Sequence, residues 1–390
     1  MAIKKTTKAE KATKKTAAPT TTTQTKACKP MSDLLKKTLA NINSKSWAGT
    51  IALASDVPEV EFISTGVASV DFILWGGIAK GRVVEYYGAE SSGKTSLALT
   101  TVASAQKEWK RCVFIDMECT FDPVFATNLG VDISSLIVAK PECWEQAFEL
   151  LKQLAATGEI DLVVVDSVPA LVTMAELEGE VGDIKIAPQA VLLSKALRQV
   201  IGVLSKMNVT VILINQIRTA VGQLFGNPEQ TAGGRALKFY LSQRLRISRV
   251  GKDLLGENKQ VIGHTVRFHV EKNKVAPPKR TIESSFYYKW GFEKIEAMVD
   301  ALIAMKVITS AGAYYSLDFD GELIKTCGKE KMKEAFMEKD EETLNKFFAK
   351  QVAQYNQLVL SGKVEDDTKM RTEELEDFDI NEISDIEDEE

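Results

Sequence analysis

The residues whose types and spacing could do chemistry cluster between Arg82 and Leu97, which read RVVEYYGAESSGKTSL. Gly88-Ala89-Glu90-Ser91-Ser92-Gly93-Lys94-Thr95 fits G-x-x-x-x-G-K-[ST]. An apolar run (Val83, Val84, Tyr86, Tyr87) precedes it and an apolar helical pattern begins at Leu97. That strand–loop–helix context gives the motif a mechanism. Gly88 and Gly93 permit backbone geometry that a β-carbon hinders, so successive N–H groups across Glu90, Ser91 and Ser92 can turn inward around phosphate oxygens. The helix start, with Ser96 in its first turn, adds free N–H groups and a positive dipole end. Lys94 is expected to reach the β- and γ-phosphates, and the Thr95 hydroxyl to bind Mg²⁺. The chemistry is that of a nucleoside triphosphate site.

Three more segments end in polar residues after an apolar run. Leu162-Val163-Val164-Val165-Asp166 has the form of a Walker B strand, with Asp166 reaching the Mg²⁺ shell. Phe114-Ile115-Asp116-Met117-Glu118 offers two carboxylates, either of which could activate an attacking water. Leu213-Ile214-Asn215-Gln216 offers an amide, Gln216, able to sense the γ-phosphate. In an open parallel sheet, ligands gather where the strands end.

The elements that must position these groups alternate. Strands are expected at Val83–Tyr87, Cys112–Asp116, Leu162–Asp166 and Val209–Asn215, with helices at Thr95–Lys107, Trp144–Ala156 and Ala190–Lys206 between them. The alternation predicts an α/β fold with a mostly parallel sheet covered on both faces. Arg244–Arg249, Val266–Val270 and Thr281–Tyr288 read as antiparallel or edge strands, and a helical pattern resumes from Phe292. Two Gly-rich stretches stand out, Glu178–Ile186 and Arg218–Gly234, which read as long irregular segments. Lys185, Arg218 and Arg235 bring positive charge to them, and Lys195 and Arg198 share a helix face nearby. Phosphate-contacting segments and plain surface loops both fit that pattern.

Composition sets the outer limits. The chain has 390 residues, 45% hydrophobic and 26% charged, as in ordinary globular proteins. No run of about eighteen apolar residues is present, and the first thirty lack an apolar signal core, so a cytoplasmic protein without a membrane span is expected. Five cysteines without a C-x-x-C pair suggest reduced thiols, and His264 and His269 read as structural. The net charge of −5 is unevenly spread. Residues 1–30 carry eight lysines against Glu10, whereas residues 363–390 carry fourteen acidic groups against three basic ones. Both ends read as disordered tails; the basic one reads further as a nucleic-acid contact or a solubilising extension. Leu34, Leu35, Leu39 and Ile42 follow the cap Ser32 at helical spacing, a helix that could dock on another subunit or on its own core.

From Glu61 to about Tyr288 the sequence closely resembles the bacterial RecA recombinase family. The resemblance rests on Ile63-Ser64-Thr65-Gly66 with Asp71, GAESSGKTS at 88–96, FIDMECTFDP at 114–123 and LVVVDSVPAL at 162–171. It continues through ELEGEVGD at 176–183, LINQIR at 213–218, FGNPEQTAGGRALKFY at 225–240 and EKNKVAPP at 271–278. It implies a P-loop core (61–290) preceded by an N-terminal oligomerisation helix and linker (31–60); the Lys/Thr-rich basic tail (1–30), marked by composition, is atypical of the family. A small α+β C-terminal domain (291–362) and an acidic tail (363–390) would follow. The implied activity is ATP hydrolysis dependent on single-stranded DNA, with Mg²⁺, in a homo-oligomeric helical filament that pairs and exchanges strands with homologous duplex DNA during repair.

By the same resemblance Glu118 activates water, and Asp122 and Phe125 lie against the adenine. Gln216 couples the γ-phosphate to the second DNA segment, and Lys272 and Lys274 reach the ATP of the neighbouring subunit. Ile186 and Val221 would wedge between bases while Lys185, Ser194, Arg198, Arg218, Gly233, Gly234 and Arg235 hold the strand, and Phe239 would sit at the subunit interface. A LexA-type repressor is an implied partner. The sequence departs from the family pattern at Ala89, Phe125, Ile186 and Tyr314, where Pro, Tyr, Met and Trp are usual. Val191 stands in place of a DNA-contacting Arg and Arg235 in place of an Asn. The competing reading is another P-loop class, a hexameric helicase or a regulatory filament protein.

Overall fold

The computed structural model describes residues 31–44, 51, 53–170, 172–178, 188–219, 229–256, 258–364, 366 and 368. The expectations for residues 1–30, for Lys185, Ile186 and Val221, and for residues 369–390 lie outside these. So do those for the side chains of Ser194, Arg218 and Arg235, whose backbone is described.

Two compact units divide between Glu59 and Val60. The first holds α1 (Asp33–Ser44), where the Ser32 hydroxyl accepts the Leu35 N–H at 3.3 Å and Leu34 and Leu35 are exposed. The second holds the elements from Val60 onward. It opens with β1 (Phe62–Ile63), α2 (Ala68–Ile73) and β2 (Ile78–Ala79), where Asp71 accepts the Thr65 N–H and hydroxyl, both at 2.7 Å.

The part that carries the G-x-x-x-x-G-K-T motif then alternates strand and helix as expected, with α4 and β5 added: β3 (Val83–Gly88), α3 (Lys94–Lys107), β4 (Cys112–Asp116), α4 (Pro123–Asn128), β5 (Ile137–Ala139), α5 (Trp144–Ala156), β6 (Leu162–Asp166). There follow α6 (Met174–Leu177), α7 (Pro188–Met207), β7 (Thr210–Thr219), β8 (Glu229–Thr231) and α8 (Gly234–Tyr240). The long strands β9 (Gln243–Leu255), β10 (Val261–Asn273), β11 (Thr281–Tyr287) and the short β12 (Gly291–Phe292) complete a ten-stranded sheet in the order β12-β11-β10-β9-β3-β7-β6-β4-β5, with β8 on β7. From β9 to β5 the pairing is parallel; β9 to β12 are antiparallel.

The apolar runs bury both faces, as an interior parallel sheet must. Val84, Tyr86, Phe114, Val164 and Ile212 pack on one side with α3. Val83, Val113, Ile115, Val163 and Val211 pack on the other with α5 and α7. Beyond the sheet come α9 (Lys294–Ala304), β13 (Thr309–Ala311), β14 (Tyr314–Phe319), β15 (Glu322–Cys327), α10 (Lys329–Met337) and α11 (Glu341–Leu360). Their Met298, Leu302, Phe336 and Phe347 join the first cluster, so these C-terminal elements share a core with the sheet.

Two segments differ from expectation. Arg218–Gly234 is not irregular throughout: Ile217, Arg218 and Thr219 pair with Thr231, Gln230 and Glu229, and a helix starts at Gly234. Residues 366 and 368, assigned by composition to the acidic tail, are packed against the core. The Arg280 guanidinium, wholly buried among the rings of Phe72, Trp75 and Tyr355, donates to Asp366 at 2.6 Å, and the Thr281 N–H donates to the Thr368 carbonyl at 2.8 Å. Both histidines lie in β10 and are buried; His269 meets the Thr281 hydroxyl at 2.8 Å and His264 lies against Phe286 and Tyr288.

Candidate active site

The parallel strands all point their C-terminal ends at one rim, and that rim collects most of the residues singled out above. At its centre β3 runs into the phosphate loop. Gly93 has φ of +93°, a left-handed conformation that glycine adopts without strain, and it caps α3. Gly88 is needed for a different reason from the one the motif suggests. A β-carbon there would stand 1.9 Å from the Ile247 carbonyl oxygen on β9. Gly88→Ala is therefore expected to push β3 and β9 apart and to cost about 1–3 kcal/mol of stability, read as a lowered denaturant midpoint.

Lys94 is buried, and its amine turns back onto the Ala89 carbonyl and the Ser92 hydroxyl inside the loop. Burial lowers its pKa to about 8, against the pull of Asp166, Glu90 and Glu118. The Thr95 hydroxyl donates to Asp166 at 2.7 Å, which brings the two expected Mg²⁺ ligands into contact. Both present hard oxygen, as Mg²⁺ requires, and a cation that keeps several waters and phosphate oxygens needs few protein ligands. Among the described residues no cluster of three or more His, Cys, Asp or Glu forms a self-sufficient metal cage.

Burial lifts Asp166 to about 6; the Thr95 hydroxyl and Lys94 oppose the rise, and Glu118 and Asp116 add to it. A folded-state pKa above the ordinary 3.8 means that stability is present at low pH and lost as pH rises through about 6. At pH 8 Asp166→Asn is accordingly expected to stabilise the metal-free protein by roughly 2–3 kcal/mol while weakening Mg²⁺-ATP binding. Unfolding curves of the two proteins should converge near pH 4.

The carboxylates on β4 are separated by their surroundings. Asp116 is almost wholly buried and accepts the backbone N–H groups of Thr120 and Phe121 at 3.2 and 3.1 Å, holding the turn that follows the strand. Glu118 is exposed on the rim, and its carboxylate accepts the hydroxyl of buried Ser167, the residue after Asp166. The Asp166–Ser167 peptide is cis, and the Asp166 carbonyl accepts the Met117 N–H at 2.7 Å, tying β6 to β4 beside Glu118. Asp122 caps α4 through the N–H groups of Val124 and Phe125, and the Phe125 ring packs half-buried on the core.

Gln216 stands opposite Gly88 in the β3–β7 register, one strand from the phosphate loop. Among the residues expected on nucleic acid, Arg198 is exposed on α7 with its Nε donating to the Tyr240 hydroxyl at 3.3 Å. Gly233, with φ of +87°, and Gly234 open α8. Lys272 and Lys274 are not at the rim. Lys272 lies level with Arg244, which lies level with Glu85, below Gly88 and two strands across. Their amines donate to the Lys238 and Phe239 carbonyls at the end of α8, the second at 3.0 Å. They face the opposite end of the sheet from their own phosphate loop, beside Phe239, which is 76% exposed.

A sequence profile of the RecA N-terminal domain matches residues 33–293. Protein RecA of Thermus thermophilus is 43% identical over 331 residues, 84% of this chain and 96% of that protein. Protein RecA of Chloroherpeton thalassium is 42% identical over 315 residues, 80% of this chain and 86% of that protein. The chain belongs to the RecA family.

A crystal structure of the RadB recombinase is a distant likeness, with a TM-score of 0.46 at 24% identity, over 60% of this chain and 99% of that one. As a RecA-family member the chain is a recombinase and an ATP hydrolase, and the helicase and regulatory readings fall away. Three residues beside the RecA-family rim went unremarked in the sequence. Ser167 holds Glu118 and gives no sequence signal beyond following Asp166. Trp290 stacks on Tyr287 with ring centroids 5.0 Å apart and leaves an exposed face. After it, Gly291 leaves no room for a β-carbon beside Leu129, which follows α4, and Phe292 lies at the α3 cap Gly93. Asn215 is a buried amide directly after the apolar run Val211–Ile214, and that misfit is a readable signal.

Proposed function

We propose that this recombinase binds ATP through residues 88–96, Asp122 and Phe125, assembles head to tail into a helical filament on single-stranded DNA, and exchanges that strand with homologous duplex. Thr95 and Asp166 would hold Mg²⁺, which when bound neutralises charge on the phosphates. Glu118, positioned by Ser167, would take a proton from the attacking water, and Gln216 would read the γ-phosphate. Lys185, Ile186, Ser194, Arg198, Arg218, Val221, Gly233, Gly234 and Arg235 would engage the strand. Lys272 and Lys274 would complete the ATP site of the next protomer, with residues 31–60 as its clasp. Residues 291–362 would form the small α+β C-terminal domain.

The observation that carries this reading is the position of the two lysines, at the end of the sheet remote from their own phosphate loop. Cations there can meet phosphate only across an interface, and a head-to-tail contact between unlike surfaces propagates into rings or filaments. The test is ATP hydrolysis with and without single-stranded DNA, alongside electron microscopy. Hydrolysis that rises with DNA, together with open filaments, is expected; DNA-independent hydrolysis by closed rings would contradict it.

Among the described residues no helix is long and apolar enough to cross a membrane. The proposed place of action is the cytoplasm. A LexA-type repressor is the proposed protein partner. The acidic C-terminal segment would repel duplex DNA. Cutting after Thr368 spares the Arg280–Asp366 pair, and is expected to tighten duplex binding several-fold at low salt, measured by anisotropy at matched ionic strength.

A further inference from the structure

Below the phosphate loop a polar network links buried side chains on β3, β7 and β9. Asn215 is fully buried on β7 and nearly all its hydrogen-bonding capacity is used. Its Nδ2 donates to Glu85 Oε1 on β3 at 2.8 Å and to the Ala232 carbonyl at 3.0 Å. Its Oδ1 accepts the backbone N–H of Gln216 at 3.0 Å. Glu85 is also fully buried and is fixed by the Arg244 guanidinium, which lies 4.4 Å from the centre of the Tyr87 ring. One side chain therefore touches the strand that leads into the phosphate loop, the backbone of the γ-phosphate sensor, and the peptide just before Gly233–Gly234.

The far end of this connection has little freedom. Ala232 follows β8 directly, and a β-carbon on Gly233 would strike Leu193 of α7 at 2.4 Å. The near end is equally fixed, since Tyr87 lies opposite Asn215 and Gly88 opposite Gln216 in a parallel ladder. A buried network with its members satisfied is stiff, because each alternative leaves a polar group unpaired. A shift of Gln216 toward phosphate would pull on an amide anchored at Glu85 and so move the Ala232 carbonyl.

We infer that Asn215, braced by Glu85, is the positioning residue that transmits nucleotide occupancy from Gln216 to the Gly233–Gly234 end of the second DNA segment. The inference rests on the roles proposed above for Gln216 and for those glycines. Asn215 touches no substrate; it sets the relation between two sites that do.

The test uses full-length protein, a non-hydrolysable ATP analogue and a fluorescent oligothymidine. Asn215→Asp keeps the acceptor for the Gln216 N–H and loses the donation to the Ala232 carbonyl, while a proton shared between the two carboxylates takes the place of the amide's donation to Glu85. It is expected to bind the analogue within about twofold of wild type, while the gain in oligothymidine affinity caused by the analogue falls about tenfold or more. In wild type the analogue should slow amide hydrogen exchange at both 88–97 and 229–234; in Asn215→Asp only the first segment should respond. A general loss of stability would not split the two segments in this way. Equal coupling in variant and wild type overturns the inference, as does wild-type protein whose 229–234 exchange ignores the analogue, a result that needs no variant to fold. Wild-type protein whose ATP hydrolysis ignores DNA would instead sink the functional reading.

Discussion

Lys272→Ala is expected to lower DNA-stimulated ATP hydrolysis by about 10³-fold or more, the effect of removing a cation supplied in trans to a phosphoryl transition state. ATP binding to each protomer should survive, because nothing in the phosphate loop touches this residue. The fold should survive too: the amine's contact is one helix-terminal carbonyl, that of Lys238. Lys274→Ala should act in the same direction through its own contact at Phe239. The decisive measurement is a mixture. Lys272→Ala protomers have an intact Glu118, and Glu118→Gln protomers have intact lysines, so a head-to-tail junction of the right polarity contains a complete site. Two inactive preparations should regain a fraction of wild-type hydrolysis when combined. If they do not, the lysines act within their own subunit or not at all.

Glu118→Gln alone is expected to reduce the rate of the hydrolytic step by about 10²–10⁴, the range for loss of a positioned general base. Glutamine still accepts the Ser167 hydroxyl, so the local structure should hold. Single-turnover hydrolysis should slow while equilibrium nucleotide binding changes little, and filaments on DNA should persist longer than wild-type ones. A variant that hydrolyses ATP at near-normal rate would move the base elsewhere. Asp116 is a poor candidate for it, since both its oxygens already accept backbone N–H groups.

Much of the architecture was legible because its signals are local. Apolar runs ending in Asp116 and Asp166 mark β4 and β6 at the observed bounds, and the periodic stretch Trp144–Ala156 marks α5 equally well. Several of the elements that escaped are short, although the twenty-residue α11 escaped too. α2, α4 and α8 have six, six and seven residues, too few for a helical period to show against the background, and they are held by tertiary contacts. The glycines around 233 suggested an irregular chain, yet one caps α8 and packs against Leu193. The reach of β7 to Thr219 depends on its partner β8, which periodicity in one segment cannot reveal.

The site divides in the same way. The phosphate loop announces itself because its geometry and its chemistry lie within eight consecutive residues. Choosing between Asp116 and Glu118 needs knowledge of which backbone groups turn back onto each, and that is set by the fold of residues 117–121. The separation of Lys272 and Lys274 from the loop depends on strand order and direction, which no spacing encodes. Asn215 was visible as an amide among Leu213 and Ile214, but its partners Glu85 and Ala232 come from distant parts of the chain.

Placing lysines and phosphate loop at opposite ends of one sheet also sets a counting rule for any assembly built this way. A row of n copies encloses n − 1 finished sites: the first copy offers cations to nothing, and the last holds a nucleotide that nothing completes. Short rows waste a large share of their members and long rows almost none. Turnover per molecule should thus climb with protein concentration before levelling off, and growth itself becomes the switch that turns hydrolysis on.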